Sequence, residues 1–259
     1  CLWYYHLQKL CYHKTRKKIK MFLLICLLLL IFGVVLLLKV PSISHRYFAR
    51  LMTGFMTNYN KMTADLKGKL FETLKEKKDK VRILEIGIGA GSNLKHYPDN
   101  TQLVAVEPNN FFEPYLKKEL EKYPHVTLEK FVVTCGEDMA VIDDDSFDYV
   151  VTTIVLCSVK DVEQVLKEIL RILRPGGKHY YLEHILDTEG TTLNKVQRAL
   201  TQSGVWPLFL DGCQLDRRID EQVLQAGYSS VDQKKIFLTN VNGLIAQCIR
   251  PHVVGVATK

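Results

Sequence analysis

A bend of closely spaced glycines is the first stretch of this chain with chemical consequences. Glu85-Ile86-Gly87-Ile88-Gly89-Ala90-Gly91-Ser92-Asn93 follows an apolar, β-branched run and opens a helical pattern. Glycine lets a backbone turn tightly and approach a ligand, and the amides at a helix opening would face that ligand. The spacing is G-x-G-x-G, with Ser92 where a dinucleotide-binding G-x-G-x-x-G needs its third glycine. Alone, the bend reads equally well as a glycine turn with no ligand. Glu107 closes the next β-like run, where a carboxylate can accept two hydrogen bonds from ribose hydroxyls. Gly136-Glu137-Asp138-Met139 follows the run after that, placed to accept from an adenine amino group. Singly, each acid reads as a solvated loop residue. Together, at the ends of successive strands, they point to one bound nucleoside.

Residues so far apart in sequence need elements that carry them to one edge. Strand-like runs at 81–86, 102–106, 126–133, 147–153 and 178–183 alternate with helical periods at 110–122 and 161–173. Alternation of this kind predicts an α/β fold with a doubly wound, mostly parallel sheet covered on both faces. Runs at 230–238 and 246–257, with a Gly-containing turn between them, predict an antiparallel hairpin at the end.

The 259 residues carry a formal charge of +7, but residues 1–20 hold six basic residues and no acid. The remainder is therefore near neutral (+7 − 6 = +1), which removes the electrostatic argument for a nucleic-acid partner. Met21–Leu38 is an unbroken apolar run whose helical length of roughly 27 Å is close to the thickness of a bilayer core. The chain divides into a basic segment (1–20), a membrane anchor (21–40), linker helices (41–80) and the α/β domain (81–259). Residues 1–20 read as translated upstream sequence, with Met21 the initiator, or as an authentic basic arm. Residues 46–62 form an amphipathic helix that either lies in the headgroup layer or caps the core of the domain. Residues 63–80, rich in lysine and interspersed acids, predict a solvated helix.

With these pieces in place, residues 81–183 resemble the class I S-adenosylmethionine-dependent methyltransferases, through the glycine bend, Glu107, Glu137-Asp138 and Leu173-Arg174-Pro175-Gly176-Gly177. A longer set resembles the membrane-anchored thiol S-methyltransferases of the methyltransferase-like seven family: Tyr97-Pro98, Glu107-Pro108-Asn109, Phe131-Val132-Val133, Leu156-Cys157-Ser158-Val159, Glu183-His184, Trp206, Asp211-Gly212-Cys213, Arg217 and Arg250-Pro251-His252. The chain departs from that family at Ile88, Ala90, Glu107, Leu182 and Asp220.

The resemblance implies a seven-stranded sheet, S-adenosylmethionine as cofactor, a small lipophilic thiol and membrane lipid as partners, and an endoplasmic reticulum or lipid-droplet membrane with the catalytic domain facing the cytosol. It implies cofactor contacts at Glu85, Gly87, Gly89, Gly91, Asn93, Glu107, Pro108, Glu137, Asp138 and Cys157. His184 is the candidate base, oriented by Glu183 or Asp211, or else a core histidine. Val205–Phe209 lines the acceptor pocket, touches the membrane, or is ordinary core. A lipid or quinone methyltransferase and a membrane protein that keeps the fold without activity are the other readings. The cysteines of the domain form no C-x-x-C, so spacing implies neither a zinc site nor a disulfide frame, and they suit a reducing compartment.

Overall fold

The computed structural model describes residues 2–76, 79–239, 241 and 243–259, and the chain falls into two compact units, Cys1–Ser44 and His45–Lys259. In the first, basic segment and apolar run form one continuous helix, α1 (Leu2–Leu38). Its stretch Arg16–Leu36 is 21 residues long and apolar enough to cross a membrane. At 1.5 Å per residue that stretch spans about 32 Å. From Met21 to Phe32 its large apolar side chains are exposed.

The second unit is built on seven strands: β1 (Val81–Ile86), β2 (Thr101–Val106), β3 (Val126–Val132), β4 (Phe147–Thr153), β5 (Leu173–His184), β6 (Ser230–Phe237) and β7 (Pro251–Thr258). Their order is β3-β2-β1-β4-β5-β7-β6. The first five run parallel, while β7 is antiparallel to both β5 and β6. Central strands read as nearly continuous apolar runs because both faces are covered; β1 and β4 bury most of their side chains. The outermost strand, β6, alternates between exposed and half-buried residues instead.

Helix α2 (Pro41–Met62) leads from one unit into the other and is followed by α3 (Ala64–Leu70) and α4 (Glu72–Lys75). The later helices are α5 (Glu113–Leu120), α6 (Val162–Ile172), α7 (Thr192–Gln202), α8 (Val205–Phe209), α9 (Ile219–Gln225) and α10 (Leu244–Cys248). In α6, Asp161 caps the first turn by accepting from Gln164 N at 3.1 Å, and Val162, Val165, Leu166, Ile169 and Ile172 are buried. Parallel strands at the centre and an antiparallel pair at one edge are what the sequence pattern predicts.

Four local expectations change. No α-helix follows the glycine bend: Gly87, Gly89 and Gly91 take φ of 66°, 54° and 82°, left-handed geometry that cannot propagate a right-handed helix, and only a 3₁₀ turn at Leu94–His96 follows. The run at 246–257 splits between α10 and β7, and Pro251 stands first in the strand, where its missing N–H costs least. The strand expected at 178–183 reaches back to Leu173 through Pro175-Gly176-Gly177, with a register irregularity against β4 between Phe147 and Tyr149. Residues 63–80 are not a solvated helix. Lys67, Leu70, Phe71 and Leu74 are buried, with Lys67 Nζ donating to Asn60 Oδ1 at 2.7 Å over the Tyr59 ring.

Where β7 passes between its neighbours, Gly255 leaves no room for a side chain. A Cβ there would lie 2.5 Å from Tyr181 Oη and 2.7 Å from the backbone oxygen of Asp232. Gly255→Ala should therefore destabilise the domain by about 1–3 kcal/mol, read as a lower urea midpoint with an unchanged m-value.

Candidate active site

The carboxyl edge of β1, β2 and β4 opens into a cavity enclosing about 760 Å³ of non-atom space, its open mouth included. Its floor is the glycine bend together with Glu107 and Pro108. Its far side is Thr153, Ile154, Val155, Ser158 and Asp211, and its roof is Phe48, Met52, Thr53 and Met56 of α2.

Glu85, near the end of β1, is buried and accepts from Asn93 Nδ2 at 2.8 Å and from the Tyr97 hydroxyl. Burial raises its pKa to about 7 against the pull of those donors. Glu107 immediately follows β2. Its Oε2 accepts from Gly89 N at 3.1 Å and its Oε1 from Asn109 N at 3.0 Å. Burial lifts it to about 7 as well. An ionised carboxylate has about four acceptor positions, so both oxygens of Glu107 keep one for a ligand on the cavity side. Asn93 is fully buried, and its Oδ1 has no partner among the described residues.

The remaining candidates divide. Gly87, Gly89, Pro108 and Asp211 line the cavity, with burial raising the Asp211 carboxyl. Gly91 does not reach the cavity wall; a Cβ there would strike Leu94 and Leu116 at 2.8 and 2.9 Å, so its role is packing. Glu137 and Asp138 are also absent from the wall. The Glu137 carboxylate is drawn to the N–H groups of Lys160 and Asp161, at 2.5 and 3.2 Å, before α6, and Asp138 is exposed.

Glu183 is buried, and its Oε2 accepts from Val155 N and Leu156 N, at 3.0 and 3.2 Å. His184 and Cys157 are 2% exposed and stay behind the wall; His184 Nε2 lies 3.3 Å from Cys213 Sγ. As placed, His184 does not reach the cavity where a base would act. Val205–Phe209 forms α8, away from the cavity lining, with Trp206 buried and Val205 and Phe209 exposed.

Two features of the site escaped sequence reasoning. The first is the roof: of its two expected placements the apolar stripe of α2 takes the core-capping one, with Tyr59 in the core and Leu51, Phe55, Met56 and Met62 against it, and it also covers the cavity. Phe48 meets Phe112 edge-to-face at 6.1 Å, and Asn109 Nδ2 donates to His45 O at 2.8 Å. The stripe and its core-capping placement are legible in the sequence, but the cavity it covers is not. The second feature is Ile154, a β-branched residue on the wall with φ of 47°, a conformation that propensity never suggests.

The raised Glu107 gives a test independent of activity. The folded protein holds a proton on this group that the unfolded chain releases above about pH 4.5, so its stabilising contribution is full below that value and lost as pH rises to about 7. In urea titrations of Glu107→Gln and the unaltered protein, the unfolding free energy of the variant minus that of the unaltered protein should rise from pH 4.5 to 7 and stay level above.

Comparison with known proteins agrees with this architecture. Residues 84–181 match the family model described as a methyltransferase domain. The human thiol S-methyltransferase TMT1A is 36% identical over 221 residues, covering 84% of this chain and 88% of that protein. The human TMT1B is 33% identical over 216 residues, covering 82% and 86%. Among solved structures, a Thermotoga maritima S-adenosylmethionine-dependent methyltransferase superposes with a TM-score of 0.55 at 20% identity, covering 82% of this chain and 98% of that one. A Haemonchus contortus phosphoethanolamine N-methyltransferase solved with S-adenosyl-L-methionine gives 0.57 at 16%, covering 79% and 56%. The chain belongs to the S-adenosylmethionine-dependent methyltransferases, in the family of the thiol S-methyltransferases TMT1A and TMT1B.

Proposed function

We propose that this enzyme methylates the sulfur of small lipophilic thiols at a membrane surface. The observation that carries the reading is the cavity itself: the carboxyl groups of Glu85 and Glu107 beside the glycine bend at one end, and the apolar roof of Phe48, Met52 and Met56 over the whole. The residues fit the cofactor. Glu107 has acceptor positions free for ribose hydroxyls, and Gly89 has no contact closer than 3.7 Å to a Cβ position, leaving its face open. When bound, S-adenosylmethionine would supply a sulfonium-borne methyl group for in-line transfer to a thiolate, with S-adenosylhomocysteine as the neutral leaving thioether.

Glu107 and the bend fix the nucleoside, the α2 roof excludes water, and Ser158 and Asp211 face the space left for the acceptor. An acceptor as acidic as a cysteine thiol, with a pKa of about 8.5, is already a few per cent thiolate at pH 7 and needs no strong base, so for such an acceptor His184 need not reach the cavity. A membrane setting is supported by the 21-residue apolar stretch of α1. A cytosolic face is supported by Cys135, Cys157, Cys213 and Cys248, all free thiols, and the membrane we assign, that of the endoplasmic reticulum or a lipid droplet, rests on the family resemblance.

The full chain in detergent, given methyl-labelled cofactor and separately an alkyl thiol, a quinol, a phospholipid and an RNA oligomer, should label the thiol. Label only on another acceptor overturns the thiol assignment. Glu107→Ala should weaken cofactor binding by about 10- to 100-fold, the loss of one charge-assisted interaction, as measured by calorimetry. Met52→Ser should raise KM for a long-chain thiol by about 10-fold while leaving cofactor affinity in place.

A further inference from the structure

Behind the cavity wall, three side chains from distant parts of the chain meet. Cys157 lies in the loop after β4, His184 is the last residue of β5, and Cys213 lies between α8 and α9. All three are buried, and their Sγ and imidazole nitrogen atoms lie within 4.8 Å of one another. A tetrahedral zinc site with Zn–S of about 2.3 Å and Zn–N of about 2.0–2.1 Å sets neighbouring donors roughly 3.5–3.8 Å apart. The 3.3 Å separation of His184 Nε2 from Cys213 Sγ is close to that edge.

The surroundings of Cys213 suit a thiolate, whereas Cys157 Sγ donates as a thiol to Ile154 O at 3.6 Å and gives up that bond on loading. Trp206 Nε1 donates to Cys213 Sγ at 3.4 Å, a contact that strengthens when the sulfur is charged. Gln214 N donates to Cys157 O at 2.8 Å, and the Arg217 guanidinium donates to Leu156 O and Val159 O. These bonds hold the two cysteine-bearing loops together without using either sulfur. His184 Nδ1 has no partner among the described residues, so the sulfur cluster supplies the ring's polar contact.

We propose that Cys157 Sγ, His184 Nε2 and Cys213 Sγ form a three-ligand site for a soft divalent cation of the zinc class. Two thiolates and one divalent ion are neutral together, which makes such a set tolerable in a buried place. Loading displaces two thiol protons to solvent. With three protein donors gathered there, a fourth position is left for water or an exogenous sulfur ligand. The ion would back the wall made by Ser158, next to Cys157, and Asp211, two residues before Cys213. This assignment does not depend on which acceptor is methylated.

The full chain, purified in detergent and reduced, is titrated with Zn²⁺ and with Co²⁺. About one equivalent should bind, cobalt should give a sulfur-to-metal charge-transfer band in the near ultraviolet, and Cys157→Ser or Cys213→Ser should weaken binding at least about 100-fold. Cys135→Ser, at an exposed thiol outside the cluster, should bind as the unaltered protein does. Should the variants misfold, thiol mapping on the unaltered protein decides: zinc should protect Cys157 and Cys213 from alkylation, and a chelator should expose them, while Cys135 reacts throughout. Failure to bind either metal, or protection that zinc does not change, overturns the site. A metal retained by folded Cys157→Ser and Cys213→Ser overturns it too.

Discussion

Carboxylates buried at strand ends must be given donors, and the loops of this domain are arranged around that need. Glu85 takes Asn93 and Tyr97, Glu107 takes the amides of Gly89 and Asn109, and Glu183 takes those of Val155 and Leu156. A buried carboxylate without such partners would cost several kcal/mol or stay neutral. Two of these carboxylates reach across to a neighbouring strand's loop. Glu107, after β2, holds the loop of β1; Glu183, on β5, holds the loop of β4. Parallel neighbours in the sheet thus fix one another's loops, and the cavity is the space those loops leave.

What closes that space comes from outside the sheet. The α2 roof is apolar because it must satisfy the core below and the cavity beside it. The same stripe therefore packs Tyr59 into the core and sets Phe48, Met52 and Met56 over the cavity. In a near-neutral domain, water exclusion is a resource on which methyl transfer can draw, and the α2 roof is placed to supply it.

Much of this was legible from sequence because it depends on local pattern. β1 and β4 occupy the residues that apolar runs mark, and Glu85 and Glu107 stand at the cavity because strand ends in a parallel sheet share one edge. Side-chain direction was not legible. Glu137 is at the right strand end, yet the amides before α6 take its carboxylate. Nor could ligand spacing reveal Cys157, His184 and Cys213, since spacing rules describe donors within one element and these arrive from three. The amphipathic stripe of α2 fixed a face but not the cavity it would cover.

Ile154 shows how the carboxylate constraint reaches the wall. A β-branched residue at φ of 47° is strained. It is held there from both sides: Ile154 N donates to Leu182 O at 2.9 Å, and the next two amides turn onto Glu183. The turn brings Val155 against the glycine bend so closely that a Cβ on Gly87 would lie 2.3 Å from Val155 Cγ2. Gly87 is thus required less by its own turn than by the position of Val155. The buried Glu183, which never touches the cavity, sets the width of the cavity through a strained residue and a missing side chain.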